Sequence, residues 1–157
     1  ALQESVRKTG PIMSLQQPYN SDNIFAKIIR GEMPCIKVME TENILAFMDV
    51  FPQSKGHCLI IHKKSEAVNF LDVEPDALRE LMAATQTLAR AVDKALDPDG
   101  VRIMQFSGAR AGQTVFHLHF HVLPVYEGVV VAAHASGKPA NADVLEPVAQ
   151  SIRAALL

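Results

Sequence analysis

The 157-residue chain has few of the features that mark secreted, membrane-spanning or nucleic-acid-binding proteins. Its only two cysteines, Cys35 and Cys58, lie within apolar stretches, which favours buried thiols over a disulfide or redox pair. No apolar run approaches the roughly 20 residues that span a bilayer. The net charge is −2 and the basic residues are scattered, so extended nucleic-acid binding has no electrostatic support. We therefore expect a cytoplasmic globular protein, with neither a membrane nor extended nucleic acid as a partner.

The chain is long enough, and at 48% apolar residues hydrophobic enough, to build one core. Residues 1–20 show no periodicity and no long apolar region, so we predict a loose leader that is not a secretory signal. Residues 21–126 are predicted to form the main domain. Residues 127–157 are predicted to be a C-terminal extension, with a loop able to close over the site and then a short helix. His134 in that loop is predicted to be exposed.

The hydrophobic pattern predicts the order of helices and strands. Ser21 or Asp22 is expected to cap a short helix that ends at Arg30. Apolar residues at three- and four-residue spacing predict a long amphipathic helix between Pro75 and Leu96. Strands are predicted near residues 35–40, 43–50, 57–62, 101–106 and 115–123. We expect an α+β fold in which an antiparallel sheet of about five strands carries the long helix and short flanking helices.

The most informative segment is 113–124, where His117, His119 and His121 alternate with large apolar residues. Successive side chains of a strand point to opposite faces, so the segment predicts a strand with all three imidazoles on one face. Pro124 is predicted to end that strand. One histidine on such a face is usually structural. Three histidines in register indicate a functional site, because placing like side chains next to one another brings no packing advantage.

Metal binding is one chemistry open to such a cluster. Same-face neighbours on a strand are roughly 6.6 Å apart and the outer pair roughly 13 Å, whereas zinc requires every nitrogen at about 2.1 Å. Three histidines on one ion would be strained, but an adjacent pair could chelate with His57 or His62 from elsewhere. A metal-dependent hydrolase therefore stays an alternative.

The loop before the histidines favours phosphate chemistry. Ser107-Gly-Ala-Arg-Ala-Gly-Gln113 carries two glycines and one arginine, which can bring backbone N–H groups and positive charge to an anion. Thr114 adds a hydroxyl donor. Alone, such a loop usually marks only a turn. Beside three histidines, it indicates a phosphoryl site.

The run His117-Leu-His119-Phe-His121-Val-Leu resembles the defining motif of the histidine triad (HIT) superfamily, a His-x-His-x-His-x-x pattern with apolar x. Further blocks resemble the same family in the expected order, namely Ile24–Pro34, Leu45–Asp49, Pro52–His57 and Ala111–Phe116. With the triad they extend over residues 22–125. The resemblance implies a HIT-like fold and is strongest to the bacterial-type, nucleoside phosphoramidase-like branch.

This resemblance implies a nucleotide-binding hydrolase that separates a nucleoside 5′-monophosphate from an amine or phosphate leaving group. His119 would attack the α-phosphorus and form a covalent nucleotidyl-histidine, with no metal or other cofactor. A neutral imidazole is a competent nucleophile near pH 7 when its other ring nitrogen is held as a donor. His121 and His57 would line the phosphate side, and His117 would orient the cluster. The implied partners are a purine nucleotide such as AMP or GMP and a second copy of the chain in a homodimer.

The resemblance also assigns a binding pocket. The apolar wall around the purine would consist of Ile24, Phe25, Ile28 and Phe47. Asp49 would hold the ribose hydroxyls, with Val50 beside it. Gln113 and Thr114 would contact the phosphate or leaving group, and Gly112 would allow close backbone approach. Each assignment has an ordinary alternative, because the first three residues also fit a helical core face and Asp49 also fits a turn.

Two positions depart from the family pattern. Phe106, with Gln105 and Ser107 beside it, lies where relatives often carry Asn or a nearby Gln. Asn23-Ile-Phe-Ala26 lies where some bacterial members carry a Cys-x-x-Cys zinc pair, so that structural zinc is expected to be absent. Three functions stay open: a purine nucleoside phosphoramidase, a dinucleoside polyphosphate hydrolase that uses the same histidines, and a non-catalytic nucleotide-binding or regulatory module.

Overall fold

The computed structural model describes residues 15–157, so the first part of the predicted leader, residues 1–14, lies outside the described residues. A short 3-10 turn at Ala109–Ala111 precedes the last strand. The helices and strands in chain order are α1 (Ile24–Ile29), β1 (Lys37–Glu40), β2 (Ile44–Met48), β3 (Cys58–His62), α2 (Pro75–Leu96), β4 (Gly100–Met104), β5 (His119–Val125) and α3 (Ala142–Ala155).

The five strands form one sheet in the order β1-β2-β3-β5-β4, and every neighbouring pair is antiparallel. The predicted α+β fold is therefore confirmed. β5 lies between β3 and β4, with His119 opposite Ile61 and His121 opposite Leu59. Because directly opposite residues share a face, both histidines lie on the face of the sheet that carries Leu59 and Ile61.

The two faces of the sheet bury two separate apolar clusters. On one face the sheet packs against α2 and α3, through residues that include Ile60, Phe120, Val122, Leu88 and Ile152. On the other face α1 covers a smaller cluster of Phe25, Leu45, Phe47, Leu59 and Ile61. Each fully buried aliphatic or aromatic side chain contributes about 1.5–3 kcal/mol. The alternation along β5 thus places its apolar residues in the main core and its histidines under α1.

Helix α2 has the predicted bounds, with Pro75 in its first turn and a left-handed residue, Asp97, at its end. The predicted cap of α1 is wrong by one or two residues. The side chain of Asn23, rather than Ser21 or Asp22, accepts a hydrogen bond from the Ala26 N–H at 2.9 Å. An Asn side-chain carbonyl satisfies an unpaired first-turn N–H as well as a Ser or Asp oxygen does. The sequence pattern alone therefore could not distinguish Asn23 from Ser21 or Asp22 as the cap.

The bounds of β5 differ from the prediction, whereas the other strand ends agree within two residues. Residues 115–118 leave the ladder, and the Leu118 N–H donates to the Ala67 carbonyl at 2.9 Å. The prediction that Pro124 ends the strand was wrong, because β5 continues through it. Pairing of β5 with β3 ends at Val122, so the missing N–H of proline removes no bond on that side.

The two cysteines are free thiols, with Cys58 buried and Cys35 half-buried. The prediction of buried thiols therefore holds for Cys58 and only in part for Cys35. None of the helices within residues 15–157 has the length and apolar character needed to cross a bilayer.

Gly56 allows the turn before β3 to pack closely against the end of α2. Its φ is +92°, and an added Cβ would overlap the end of the Leu96 side chain and lie 3.2 Å from Pro124 Cγ. We expect Gly56→Ala to lower the free energy of unfolding by about 2–4 kcal/mol, measured by urea denaturation. Gly128→Ala is the matched control, because Gly128 has φ +75° and open space around it. Equal losses in the two variants would contradict the packing argument.

Candidate functional site

An apolar cavity of about 410 Å³ lies against the smaller cluster under α1. This volume is within the range typical of small-molecule sites. Eight of the residues predicted from the sequence line the cavity: Ile24, Phe25, Ile28, Phe47, Asp49, Val50, Thr114 and His119. The structure therefore brings the predicted nucleoside pocket together around one space.

Two phenylalanines join the cavity to the histidines. The rings of Phe25 and Phe47 meet edge to face with centres 5.4 Å apart, and Phe25 also meets the His119 ring at 4.9 Å. Phe25 and Phe47 are buried members of the apolar cluster as well as cavity walls, so the core alternative holds for Phe25, and its role against a purine stays a prediction. Ile24, in contrast, is 42% exposed and contributes little to the core.

His117 and His119 are held in fixed tautomers by backbone carbonyls. His117 Nε2 lies 3.1 Å from the His62 carbonyl oxygen, and because a carbonyl only accepts, this nitrogen carries the proton. His117 Nδ1 therefore accepts from the Tyr19 hydroxyl, 2.8 Å away. His119 Nδ1 lies 2.7 Å from the His117 carbonyl oxygen and donates to it for the same reason. In neutral His119, Nε2 consequently keeps its lone pair.

His57 and His121 form a second bonded pair. The backbone N–H of Gln53 donates to His57 Nδ1 at 3.1 Å, so the proton of neutral His57 is on Nε2. That N–H donates to His121 Nδ1 at 2.9 Å. The proton of His121 is then on Nε2, which is buried and has no hydrogen-bond partner within residues 15–157. The pair therefore presents one unpaired N–H donor next to His119, whose ring centre lies 5.1 Å from that of His121.

Burial keeps these four histidines neutral near pH 7. It lowers the pKa of His57, His117 and His119 to about 4, because the charged ring would lose its hydration. The pKa of His121 falls to about 2, first through burial and then through the nearby His119 and His57. A neutral ring is the nucleophilic form of histidine, and it is also the form that the assigned tautomers require.

Asp49 directly follows β2 and is 9% exposed. Its Oδ1 accepts from the Phe51 N–H at 2.8 Å, so the residue does form a turn. Its Oδ2 lies 3.5 Å from His57 Nε2. Burial raises the pKa of this carboxyl, while the Phe51 N–H and the charge of His134 oppose the rise. One carboxylate oxygen thus shapes the turn, and the other lies beside the histidine cluster.

Gln113 is placed differently from the phosphate contact that the resemblance implies. Its side-chain oxygen accepts from the Gly108 N–H at 2.8 Å, and its Nε2 donates to the carbonyls of Val68 at 2.7 Å and Val115 at 3.1 Å. The residue is 4% exposed. Its amide therefore braces the loop before β5, and in this arrangement it has no N–H left for a ligand.

Phe106 packs between this loop and the histidines. Its ring centre lies 5.4 Å from that of His121. Gly112 has φ +110°, and an added Cβ there would lie 3.5 Å from the Phe106 ring. The close approach that Gly112 allows in this structure is therefore to Phe106, whereas Thr114 lines the cavity.

Two residues that the sequence left out of the site contact its histidines. Tyr19, assigned to the leader, bonds to His117, and burial raises the pKa of its hydroxyl. His134 was predicted to be an exposed loop residue, and that prediction is wrong. It is half-buried, with its ring centre 5.2 Å from that of His121 and 5.4 Å from that of Phe106. Neither contact has a sequence signal, because each depends on the path of a segment without periodicity.

A possible metal-ligand set also lies here. Asp49, His57 and His121 each offer a ligand atom, and these atoms lie within 4.8 Å of one another. This set differs from the adjacent triad histidines considered from the sequence. In the assigned tautomers His57 Nε2 carries a proton that bonds to His121, so a cation would have to displace that hydrogen bond.

Comparison with known proteins agrees with this architecture. The family model described as HIT domain matches residues 30–128. The chain is 38% identical over 101 residues to adenosine 5′-monophosphoramidase hnt1 of Schizosaccharomyces pombe, an alignment that covers 64% of this chain and 72% of that protein.

Two solved structures share the fold. One is a HIT-like protein involved in cell-cycle regulation from Bartonella henselae, with TM-score 0.80, 43% identity, and coverage of 87% of this chain and 98% of that one. The other is a hypothetical histidine triad nucleotide-binding protein from Sulfolobus tokodaii, with TM-score 0.75, 33% identity, and coverage of 84% and 90%. The matched domain, the identities and the shared fold show that the chain belongs to the HIT family, whose members include nucleotide-binding proteins and hydrolases.

Proposed function

We propose that the protein is a purine nucleoside phosphoramidase, which hydrolyses the bond between a nucleoside 5′-monophosphate and an amine through a covalent nucleotidyl-His119. The observation that carries the proposal is the 2.7 Å hydrogen bond from His119 Nδ1 to the His117 carbonyl, on a histidine that lines the cavity. This bond leaves the lone pair of neutral His119 on Nε2. The relative named adenosine 5′-monophosphoramidase supports an amine as the leaving group.

The cavity supplies the binding step. Its apolar wall of Ile24, Phe25, Ile28 and Phe47 suits the faces and edges of a purine ring. In the proposal, the ribose hydroxyls donate to Asp49, whose Oδ2 is not needed for the turn. This arrangement places the 5′-phosphate towards His119, at the histidine end of the same cavity.

The chemistry has two displacements at phosphorus. First, His119 Nε2 forms a bond to the α-phosphorus while the bond from phosphorus to the amine breaks, and the departing nitrogen takes up a proton from solvent. Water then attacks the same phosphorus and releases one proton to solvent, and the bond to Nε2 breaks with its electron pair returning to the ring. The products are the nucleoside 5′-monophosphate and the free amine.

Preorganised donors meet the charge that develops on the phosphoryl oxygens. The unpaired Nε2–H of His121 lies beside His119, and the His57 N–H holds that tautomer in place. Removing one such donor from an active site typically costs about 10²–10³ in kcat. In this proposal no metal or cofactor takes part.

The activity is tested by adding adenosine 5′-phosphoramidate to the protein in excess chelator and separating AMP by chromatography. We expect AMP release that the chelator does not change. A diadenosine polyphosphate in the same assay tests the alternative leaving group. Faster AMP release from the polyphosphate would indicate a dinucleoside polyphosphate hydrolase. AMP binding without release from either compound would indicate a non-catalytic nucleotide-binding module.

The homodimer stays a prediction, which light scattering in solution can measure.

A further inference from the structure

The loop between β5 and α3 lies against the histidine cluster and carries a fifth histidine, His134. Its ring meets the His121 ring nearly edge to face, at 76° and 5.2 Å between centres. His134 and its neighbour Ala135 also line the cavity that holds His119. The ring therefore lies beside the histidine cluster and on the wall of the same cavity.

Hydrogen bonds fix this loop to the segment that follows β2. The Ala132 N–H donates to the Gln53 carbonyl at 2.9 Å, and Gln53 Nε2 donates back to the Ala132 carbonyl at 2.8 Å. Further along, the Ala140 N–H donates to the Val50 carbonyl at 2.7 Å. Gln53 also binds His57 through its own backbone N–H. The loop is therefore anchored on both sides of His134 to the same residues that shape the site.

Unpaired polar atoms concentrate where His134 meets His121. Both ring nitrogens of His134 and Nε2 of His121 are buried without a hydrogen-bond partner within residues 15–157. Leaving such a group unpaired is unfavourable, so a cluster of them in one place points to a ligand that satisfies them. His121 itself is 1% exposed.

The tautomers decide which kind of ligand fits. His121 Nε2 carries a proton, because its Nδ1 accepts from His57. A histidine ring carries at least one N–H in either protonation state, so each of the two rings has an unpaired donor. Two N–H donors on neighbouring rings match an acceptor oxygen and not a cation.

We infer that His134 binds the phosphate group of the nucleotide, so that the C-terminal loop is part of the active site. The inference rests on the proposed function, because it requires a nucleoside 5′-phosphate in the cavity. In the bound state, a phosphoryl oxygen accepts from His134 and His121 together, while His119 faces the phosphorus.

The test compares the affinities of AMP and adenosine, measured by calorimetry, for wild-type protein, His134→Ala and His134→Gln. We expect His134→Ala to weaken AMP binding about tenfold, the usual effect of losing one hydrogen bond to a charged group, and to leave adenosine binding within twofold. His134→Gln keeps an N–H donor and should recover part of the AMP affinity. Lys138→Ala, an exposed residue of the same loop, is the control and should change neither affinity.

Each other outcome overturns the inference in a distinct way. Unchanged AMP binding by His134→Ala would show that His134 does not hold the phosphate. Equal loss of AMP and adenosine would show that the loop shapes the nucleoside pocket instead. Wild-type protein that binds neither ligand would remove the proposed function itself, and with it the phosphate that His134 is inferred to hold.

Discussion

We expect His119→Ala to abolish phosphoramidate turnover, with kcat/KM lowered by at least about 10⁴, the scale seen when a covalent nucleophile is removed. In the proposed mechanism His119 is that nucleophile, since the His117 carbonyl holds the proton on Nδ1 and leaves the lone pair on the other ring nitrogen. AMP affinity should stay within about tenfold, because the cavity contacts spread over many side chains. Steady-state kinetics and AMP calorimetry on the same preparation measure the two quantities.

The matched control for this variant is Gln86→Ala, which removes an exposed side chain of α2 on the other side of the sheet. Its turnover should equal that of the wild type. Turnover of His119→Ala within tenfold of the wild type would mean that another group attacks the phosphorus. Loss of AMP binding in step with turnover would mean that the variant disrupts the cavity rather than the chemistry.

The second large effect is on stability, which should fall steeply as the pH drops below the ordinary histidine pKa of 6.5. The four buried histidines have pKa values of about 4 or, for His121, about 2 in the folded chain. The unfolded state therefore binds more protons than the folded state between these values and 6.5, so acid favours unfolding. Each histidine removes about 2 kcal/mol between pH 7 and pH 5. The combined loss is a large part of the stability of a domain this size.

We expect cooperative unfolding near pH 5, followed by circular dichroism, and a strong rise in the urea midpoint from pH 5 to pH 7. His121→Gln serves as the internal check, because it removes one titrating ring and should make the slope of stability against pH shallower. A change in overall stability alone would not alter that slope. A urea midpoint that is flat between pH 5 and pH 7 would contradict the buried, neutral cluster.

Much of the fold follows from local patterns in the sequence. The alternation of histidines with apolar residues predicted that Phe120 and Val122 lie on one face of β5 and His119 and His121 on the other. The pairing of β5 with β3 agrees with this prediction. The helix from Pro75 to Leu96 was predictable to the residue, since proline suits its first turn and the apolar spacing continues to its end. The bounds of β5 were less predictable, because they depend on which strands lie on either side.

In the site, too, residues on regular helices and strands were predictable, and contacts made by irregular segments were not. All six residues that were predicted for the nucleoside pocket between Ile24 and Val50 line the cavity, because they lie on α1, on β2 or directly beside it. Contacts made by segments that are distant along the chain could not be predicted from the sequence. Tyr19 and His134 reach the cluster along irregular paths, and the Gln113 amide bonds to the backbone of Val68, which no spacing rule indicates.

The central claim, covalent catalysis through His119, is tested most directly by intact-protein mass spectrometry after brief mixing with adenosine 5′-phosphoramidate in chelator. We predict a transient adduct of one adenylyl group on the wild type and none on His119→Ala. Peptide mapping should place the adduct on the segment that contains His119. The account is contradicted if His119→Ala carries the same adduct, or if the wild type releases AMP while its adduct maps to another residue.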